Sequence, residues 1–437
     1  AGLLPTSGND RNVDFSRSQA FLDRALKTVP TGAQTFSKAA QQYPQGRAPL
    51  FLSHGLGGRV WDLDGNEYVD AQCALLAVSI GYRDAEIDDA VRRQMARGVS
   101  LTLPTRLEAE LAERLVEYVP CAEAARFGKN GTDATSGAVR VARAYTGRDK
   151  VAVCGYHGWQ DWYIGSTARD RGVPAAVKAL TLTFPYNDLP ALEHLLAENP
   201  GEIAAVVMEA ANFTQPAPGF LEGVRALTEK HGVVLVFDEI ITGFRFDMGG
   251  AQNLFGVTPD LACLGKGMGN GHPIAALVGK AELMAEVDRI FFSGTFGGEA
   301  LSLAASIAVL DLMAREDVIG ALWRMGGSLA EDLTAMIAAH GLQETLSVKG
   351  WAPWTLVAPV AHPTARVEAI RTLMIREMLA EGVLTLGTNN LCYRHTDADL
   401  AAIRRAWDRC FETLACELAT GELEARLDCP AIEPIFQ

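Results

Sequence analysis

The chain has 437 residues, 49% of them apolar and 21% charged, the balance of an ordinary globular protein with a large buried core rather than a disordered chain. Acidic residues outnumber basic ones, 53 to 39, and the formal net charge of -14 argues against nucleic acid or an anionic membrane surface as a partner. The eight cysteines form no CxxC pair and lie beside no His cluster at ligand spacing, so no metal site is expected and they read as thiols of a reducing compartment, the cytoplasm.

In chain order, AGLLPTSGNDRN is a polar leader to Asn12 without the charged start and apolar core of a secretory signal. No apolar run approaches the roughly 20 residues of a membrane span. Phe21, Leu22 and Ala25 recur at helical spacing between Phe15 and Leu26, and Pro30 ends that helix. Pro30 to Gly46 is turn-rich. Phe51 to Tyr68 predicts a small antiparallel unit about the turn Asp64-Gly65-Asn66. Asp84 opens a helix through Met95 with Ile87, Val91 and Met95 four residues apart, and a second helix is expected from Arg106 to Tyr118.

From Ala125 the pattern becomes strand and helix in alternation, with strands expected at Lys150 to Cys154, Lys178 to Phe184, Ile203 to Met208, Val233 to Phe237 and Ala275 to Val278. This predicts an α/β protein whose mainly parallel sheet is covered by helices and binds ligands at the carboxyl ends of its strands. Helices dominate after Ala300. The segment Leu346 to Phe411 is mixed, with short strands around Trp354 to Val357 and Val383 to Leu386 and an amphipathic helix from Asp397 to Cys410. The changes of pattern predict a large domain over 61–312 and a smaller α+β domain assembled from both chain ends, 1–60 and 313–437.

Chemistry concentrates in VLVFDEIITGFR, Val234 to Arg245, and DLACLGKGMGNGHPIAALVG, Asp260 to Gly279. The apolar run from Val233 to Phe237 reads as a buried strand that breaks off at Asp238 and Glu239. The second stretch sets Lys266 among glycines. An acid at the end of a central strand and a lysine in a tight loop suit pyridoxal phosphate, the lysine for a Schiff base and the acid for the pyridinium nitrogen. A nucleotide hydrolase would also present Asp-Glu at a strand end, but it needs Gly-Lys followed by Ser or Thr. Gly128-Lys129, Gly265-Lys266 and Gly279-Lys280 are followed instead by Asn130, Gly267 and Ala281. The glycines from Gly265 to Gly271 also miss the dinucleotide fingerprint, whose third glycine would fall on Asn270 or His272.

FGKNGTDATSGAVRVARAYTGR, Phe127 to Arg148, is the phosphate candidate. Gly131 and Thr132 come just before a helix whose apolar face is Ala138, Val141, Ala142 and Tyr145, which turns free amides and the positive end of the helix dipole toward a ligand. The competing reading is an ordinary N-cap by Thr132 with Asp133 in the first turn. GYHGWQDWY, Gly155 to Tyr163, follows a strand directly. Tyr156 or His157 is placed to cover a flat ring, with Trp159, Asp161, Trp162 and Tyr163 on the substrate side.

These motifs, with SGTFGGEALSLAA from Ser293 to Ala305, give nearly the whole chain a resemblance to the class III aminotransferases of fold type I. In style it is similar to glutamate-1-semialdehyde 2,1-aminomutase and to relatives acting on amino sugars. The resemblance implies Lys266 as the cofactor-linked lysine and Asp238 as the pyridinium partner. It also implies Asn130, Gly131 and Thr132 around the phosphate, Tyr156 on the ring and Glu209 at its edge, and Thr295 reaching the phosphate of a neighbouring subunit in a homodimer. Asn130 stands where the family has Ser, and Ala210 follows Glu209 where the family commonly has Pro.

Three positions depart from the aminomutase. Lys38 stands at its carboxylate-gripping Arg, Leu75 near its bulky aromatic, and Asn390 near its acidic gate residue. A lysine is a point charge without the bidentate fork of Arg. The polar and aromatic set Gln34, Lys38, Trp159, Asp161, Asn389, Asn390 and His395 suits a hydroxylated amine. The expectation is therefore an aminotransferase with glutamate as donor and a keto or aldehyde acceptor such as a sugar or polyol. The alternatives are a mutase or amino acid aminotransferase, a pyridoxal-dependent decarboxylase or racemase, and an inactive scaffold.

Overall fold

The computed structural model describes residues 13–434, and the polar leader lies outside them. The expected antiparallel unit is present: β1 (Leu52–Leu56), β2 (Arg59–Asp62) and β3 (Glu67–Asp70) pair in sequence. Asp62 makes the turn between the last two strands, accepting from the amides of Asp64 at 3.0 Å and Asn66 at 2.8 Å. Such side-chain bonds to the local backbone are why Asp and Asn favour turns.

The large sheet comprises β4 (Ala124–Gly128), β5 (Lys150–Cys154), β6 (Thr181–Thr183), β7 (Ile203–Met208), β8 (Val234–Asp238), β9 (Leu261–Leu264) and β10 (Ala275–Gly279), in the order β4-β10-β9-β8-β7-β5-β6. It is mainly parallel as expected, β10 alone running against its neighbours β4 and β9. Two details differ from the sequence reading. The strand expected from Lys178 is shorter, because a helical turn occupies Ala175–Lys178, and β9 was hidden in the glycine-rich lysine stretch.

Every residue of β7 through β10 is buried, so both faces of the sheet are covered. Ala138, Val141 and Ala142 of the helix Gly131–Thr146 pack on one face against Val153, Val207, Val236 and Cys263. Tyr145, expected on that apolar face, is exposed. The helices Arg106–Tyr118 and Ala300–Arg315 cover the other face, with Leu111, Leu115, Leu303 and Val309 against Ala262, Leu264 and Val278.

A third sheet joins β11 (Leu346–Trp351), β12 (Trp354–Pro359) and β14 (Thr388–Asn389). β13 (Val383–Leu384) instead pairs parallel with β3, Val383 opposite Val69. The chain ends thus share one sheet, and a division at residue 60 would cut β2. The helix Val318–Ala339 begins in the core under the large sheet, with Val318 and Leu322, and ends in the carboxyl-terminal core, with Leu333 and Ile337.

Candidate active site

Parallel pairing of β8 with β9 sets Asp238 opposite Cys263, and three residues further on the chain reaches Lys266. Lys266 has φ 40, in the left-handed region that costs a non-glycine residue about 1–2 kcal/mol. The loop is held from outside: Asn270 Oδ1 accepts from the Ile80 amide at 2.9 Å and its Nδ2 donates to Gly81 O at 2.9 Å. A Cβ on Gly267 would lie 2.8 Å from Ser79 Oγ, which is why glycine follows the lysine. Burial pushes the Lys266 ammonium down against the opposing charges of Asp238 and Glu209, favouring a neutral, nucleophilic amine.

Asp238 is 7% exposed, and its Oδ2 lies 2.8 Å from Nδ1 of His157. His157 is 1% exposed, and its other nitrogen lies 3.1 Å from Cys154 O. The ring is thus held between the Asp238 carboxylate and the Cys154 carbonyl. His157 therefore does not cover a ligand ring, one of the two readings of YHG: it backs Asp238. Tyr156 is half exposed, edge-on to Tyr163 at 5.7 Å. Glu209 follows β7; burial and the Asp238 charge push its carboxyl up to about 7. Gly155, at φ 106, makes room for it, since a Cβ there would sit 2.5 Å from Glu209 Oε2.

The helix Gly131–Thr146 is capped by Asn130, not by Thr132. Asp133 Oδ2 accepts from the amides of Lys129 and Asn130, each at 2.9 Å. Thr132 is thereby left over: it is 7% exposed and its Oγ1 has no partner among the described residues. A buried hydroxyl without a partner costs about 1–3 kcal/mol, so something is wanted there. Ile240 brings this helix end to the lysine loop, because a Cβ on Gly131 or on Gly265 would lie 3.0 or 3.1 Å from the same Ile240 Cδ1. An unpaired hydroxyl, a helix amino terminus, a buried acid backed by His157 and a half-buried lysine together fit a phosphorylated pyridine carrying an aldehyde.

Thr295 is exposed, in a turn that rides over the end of β4; a Cβ on Gly297 would approach Phe127 O to 3.0 Å. Lys129, beside the helix start, is bound to Glu299 at 2.9 Å. Of the substrate candidates, Lys38, Trp159 and Asp161 are exposed, Trp159 to 65%. Asn390 is buried, with Nδ2 near Gln72 O and Thr388 Oγ1, both at 3.3 Å, and Oδ1 unpartnered among the described residues. Asn389 accepts from Trp407 Nε1 at 2.9 Å, and His395 Nδ1 meets the Cys392 amide at 2.9 Å. Both belong to the interior rather than to a free polar lining.

Sequence reasoning passed over two buried groups. Glu239 caps the helix Ala251–Phe255 through the Ala251 and Gln252 amides, at 2.7 and 2.9 Å. Arg245, in the turns after β8, donates to Pro353 O, Ser79 Oγ and Leu391 O at 2.8, 3.3 and 2.9 Å, fastening that segment to one earlier and two later parts of the chain. The only signal was a charged pair inside an otherwise largely apolar stretch and an arginine at its end.

Fold and site together define a pyridoxal-phosphate-dependent transferase of fold type I. The class-III aminotransferase family matches residues 40–396, and the chain belongs to it. A 3-aminobutyryl-CoA aminotransferase of Cloacimonas acidaminovorans is 37% identical, over 89% of this chain and 95% of that protein. A glutamate-1-semialdehyde 2,1-aminomutase of Pelotomaculum thermopropionicum is 40% identical over 73% of this chain and 77% of its own. Among solved structures, the FumI protein of Sphingopyxis sp. MTA144, determined with pyridoxal phosphate, superimposes with a TM-score of 0.86 at 30% identity. The match covers 94% of this chain and all of that one.

Proposed function

We propose that the protein is an intermolecular aminotransferase in which Lys266 and Asp238 hold pyridoxal phosphate and Asn130, Gly131 and Thr132 receive its phosphate. The observation that carries this reading is the unpartnered Thr132 Oγ1 at a helix start joined through Ile240 to the Lys266 loop. When bound, the cofactor supplies a carbonyl that takes up an amino group and a ring that accepts electrons. Asp238, braced by His157, would pair with the ring nitrogen and favour its protonated form. Lys266 Nζ would hold the cofactor covalently and, when free, would be the base that takes a proton from the substrate carbon bearing the amine. Tyr156 would cover the ring, and Glu209, whose carboxyl is pushed up to about 7, would serve as an acid beside it.

Lys38, Leu75 and Asn390, where the aminomutase has other side chains, favour transfer between two molecules over rearrangement within one. For the substrate we infer a small amine, with glutamate as one partner and a keto or aldehyde compound as the other. The relative matched over 95% of its length is named for 3-aminobutyryl-CoA, an acyl thioester with its amino group on the third carbon, and this favours a 3-amino acyl compound. The sugar or polyol reading stands second, since Asn389 and His395, on which it drew, are tied into the interior. Thr295 lies on an exposed turn flanked by Phe291 and Phe296, which supports a homodimer that shares its sites. Eight free thiols, six of them buried, support a cytoplasmic location.

Half-reactions followed by the cofactor spectrum test the reading, with glutamate, alanine, 3-aminobutyryl thioester and a panel of amino sugars. We expect glutamate and the 3-amino acyl compound to convert the spectrum. Isomerisation of glutamate-1-semialdehyde with no second substrate would establish a mutase instead. Lys266→Ala should lower multiple-turnover kcat by about a thousandfold or more; turnover at the wild-type rate refutes the assignment.

A further inference from the structure

Apart from Lys266 and its neighbours, three metal-ligating side chains from distant parts of the chain meet in the interior. Cys73 follows β3; Cys392 and His395 lie between β14 and the helix Asp397–Thr420. One donor atom from each falls within 4.8 Å of the others, and all three residues are buried. The sulfurs touch the backbone weakly, Cys73 Sγ with Asp70 O at 3.3 Å and Cys392 Sγ with Gly57 O at 3.8 Å, and the Cys392 side chain also interacts with those of Cys73 and His395.

His395 supplies the second observation. The residue is 6% exposed, and its Nε2 has no partner among the described residues. Nδ1 lies 2.9 Å from the Cys392 amide and 3.3 Å from the Cys392 carbonyl. The nearer contact has the Cys392 amide donating to Nδ1, and a cation at Nε2 requires the other tautomer, protonated at Nδ1 and donating to the carbonyl, the arrangement in which a backbone carbonyl orients a metal-bound histidine. The ring is confined, since a Cβ on Gly58 would come within 2.6 Å of its Cδ2.

We propose that Cys73, Cys392 and His395 form a structural site for one thiophilic d10 cation, zinc or copper(I), separate from the pyridoxal phosphate site. Two thiolates and an imidazole are the ligand set such ions prefer. Binding displaces the two thiol protons to solvent, which leaves a zinc site neutral and a copper(I) site with one negative charge, faced by the buried Arg245 guanidinium, which feels both sulfurs. The cation would clamp the residues after β3 to the loop after β14. Ser79 and Leu391, bonded to Arg245, lie in these same two segments, so the clamp would stiffen one wall of the lysine loop.

The test is metal content of full-length, cofactor-loaded protein carrying no histidine tag, produced in separate media supplemented with zinc or copper. We expect one cation per chain, and the medium that loads the protein identifies the metal. Cobalt substitution should give a thiolate-to-cobalt charge-transfer band. Cys392→Ser should abolish both while retaining the bound-cofactor absorbance. Should that variant fail to fold, a chelator applied to the wild type should lower its melting temperature, and zinc or copper should restore it. Trace metal in both preparations, undiminished metal in Cys73→Ser/Cys392→Ser, a melting temperature indifferent to chelation, or a Cys73–Cys392 disulfide in non-reducing peptide maps would each overturn the proposal.

Discussion

Thr132 and Glu209 illustrate what single side chains give up while the cofactor is absent. The Thr132 hydroxyl is buried without a partner among the described residues. Thr132→Val keeps the shape and removes the polar atom, so the cofactor-free protein should gain about 1 kcal/mol while affinity for pyridoxal phosphate falls about tenfold. Denaturant melts and cofactor titration measure the two effects; a loss of both, or of neither, refutes the role. Glu209 is held at about 7 against an ordinary 4.5 by burial and by Asp238. A carboxyl raised on folding contributes stability fully below its unfolded value and loses it as pH rises to the folded one. In the cofactor-free protein, Glu209→Gln should therefore gain on the wild type between pH 4.5 and about 7, by about 3 kcal/mol at the upper end. A stability difference independent of pH removes that account.

Elements impose a second kind of constraint. After β3 the chain makes a left-handed turn of four non-glycine residues, Cys73 to Leu76, with φ from 45 to 71. Each pays on the order of 1–2 kcal/mol for its Cβ, and what holds them is the surrounding framework. Asp70 Oδ1 accepts from the Gln72 and Cys73 amides at 2.8 and 3.1 Å, and the Asn390 amide bonds Ala71 O at 2.9 Å. Ala74→Gly, at φ 50 and ψ 43, should relieve this at little packing cost and stabilise the protein by on the order of 1 kcal/mol in denaturant melts. Destabilisation would show that the turn is not strained. From sequence, CALLAV was only a small apolar stretch. Nothing in residue type announces a left-handed run without glycine, because it is imposed by contacts from residues some 300 positions away.

At the scale of the molecule, the turn carrying Thr295 is exposed together with Phe291 and Phe296. Large apolar side chains displayed on one loop favour an interaction surface, and the proposed homodimer would cover this one. Phe296→Glu should shift the protein from dimer to monomer in sedimentation velocity and, if Thr295 completes the partner's phosphate site, weaken cofactor binding in parallel. A monomeric wild type, or a dimer unaffected by the charge, rules out this interface. Among the described residues no helix is long and apolar enough to cross a membrane.

Much of this was legible from residue order. Apolar runs gave most of the large sheet, the acid at the end of Val233 to Phe237 and the lysine among glycines gave the chemistry, and Asp84 and Arg106 opened helices where expected, since these are properties of contiguous sequence. What residue order left open is set by contacts at long range. β9 escaped because its four residues merge into a glycine-rich loop, and His157 was open to two readings until β8 placed Asp238 against it. Asn390 and His395 looked like pocket lining until pairing of the two chain ends buried them. A sequence records which groups a chain owns, and only packing decides which of them are left without a partner.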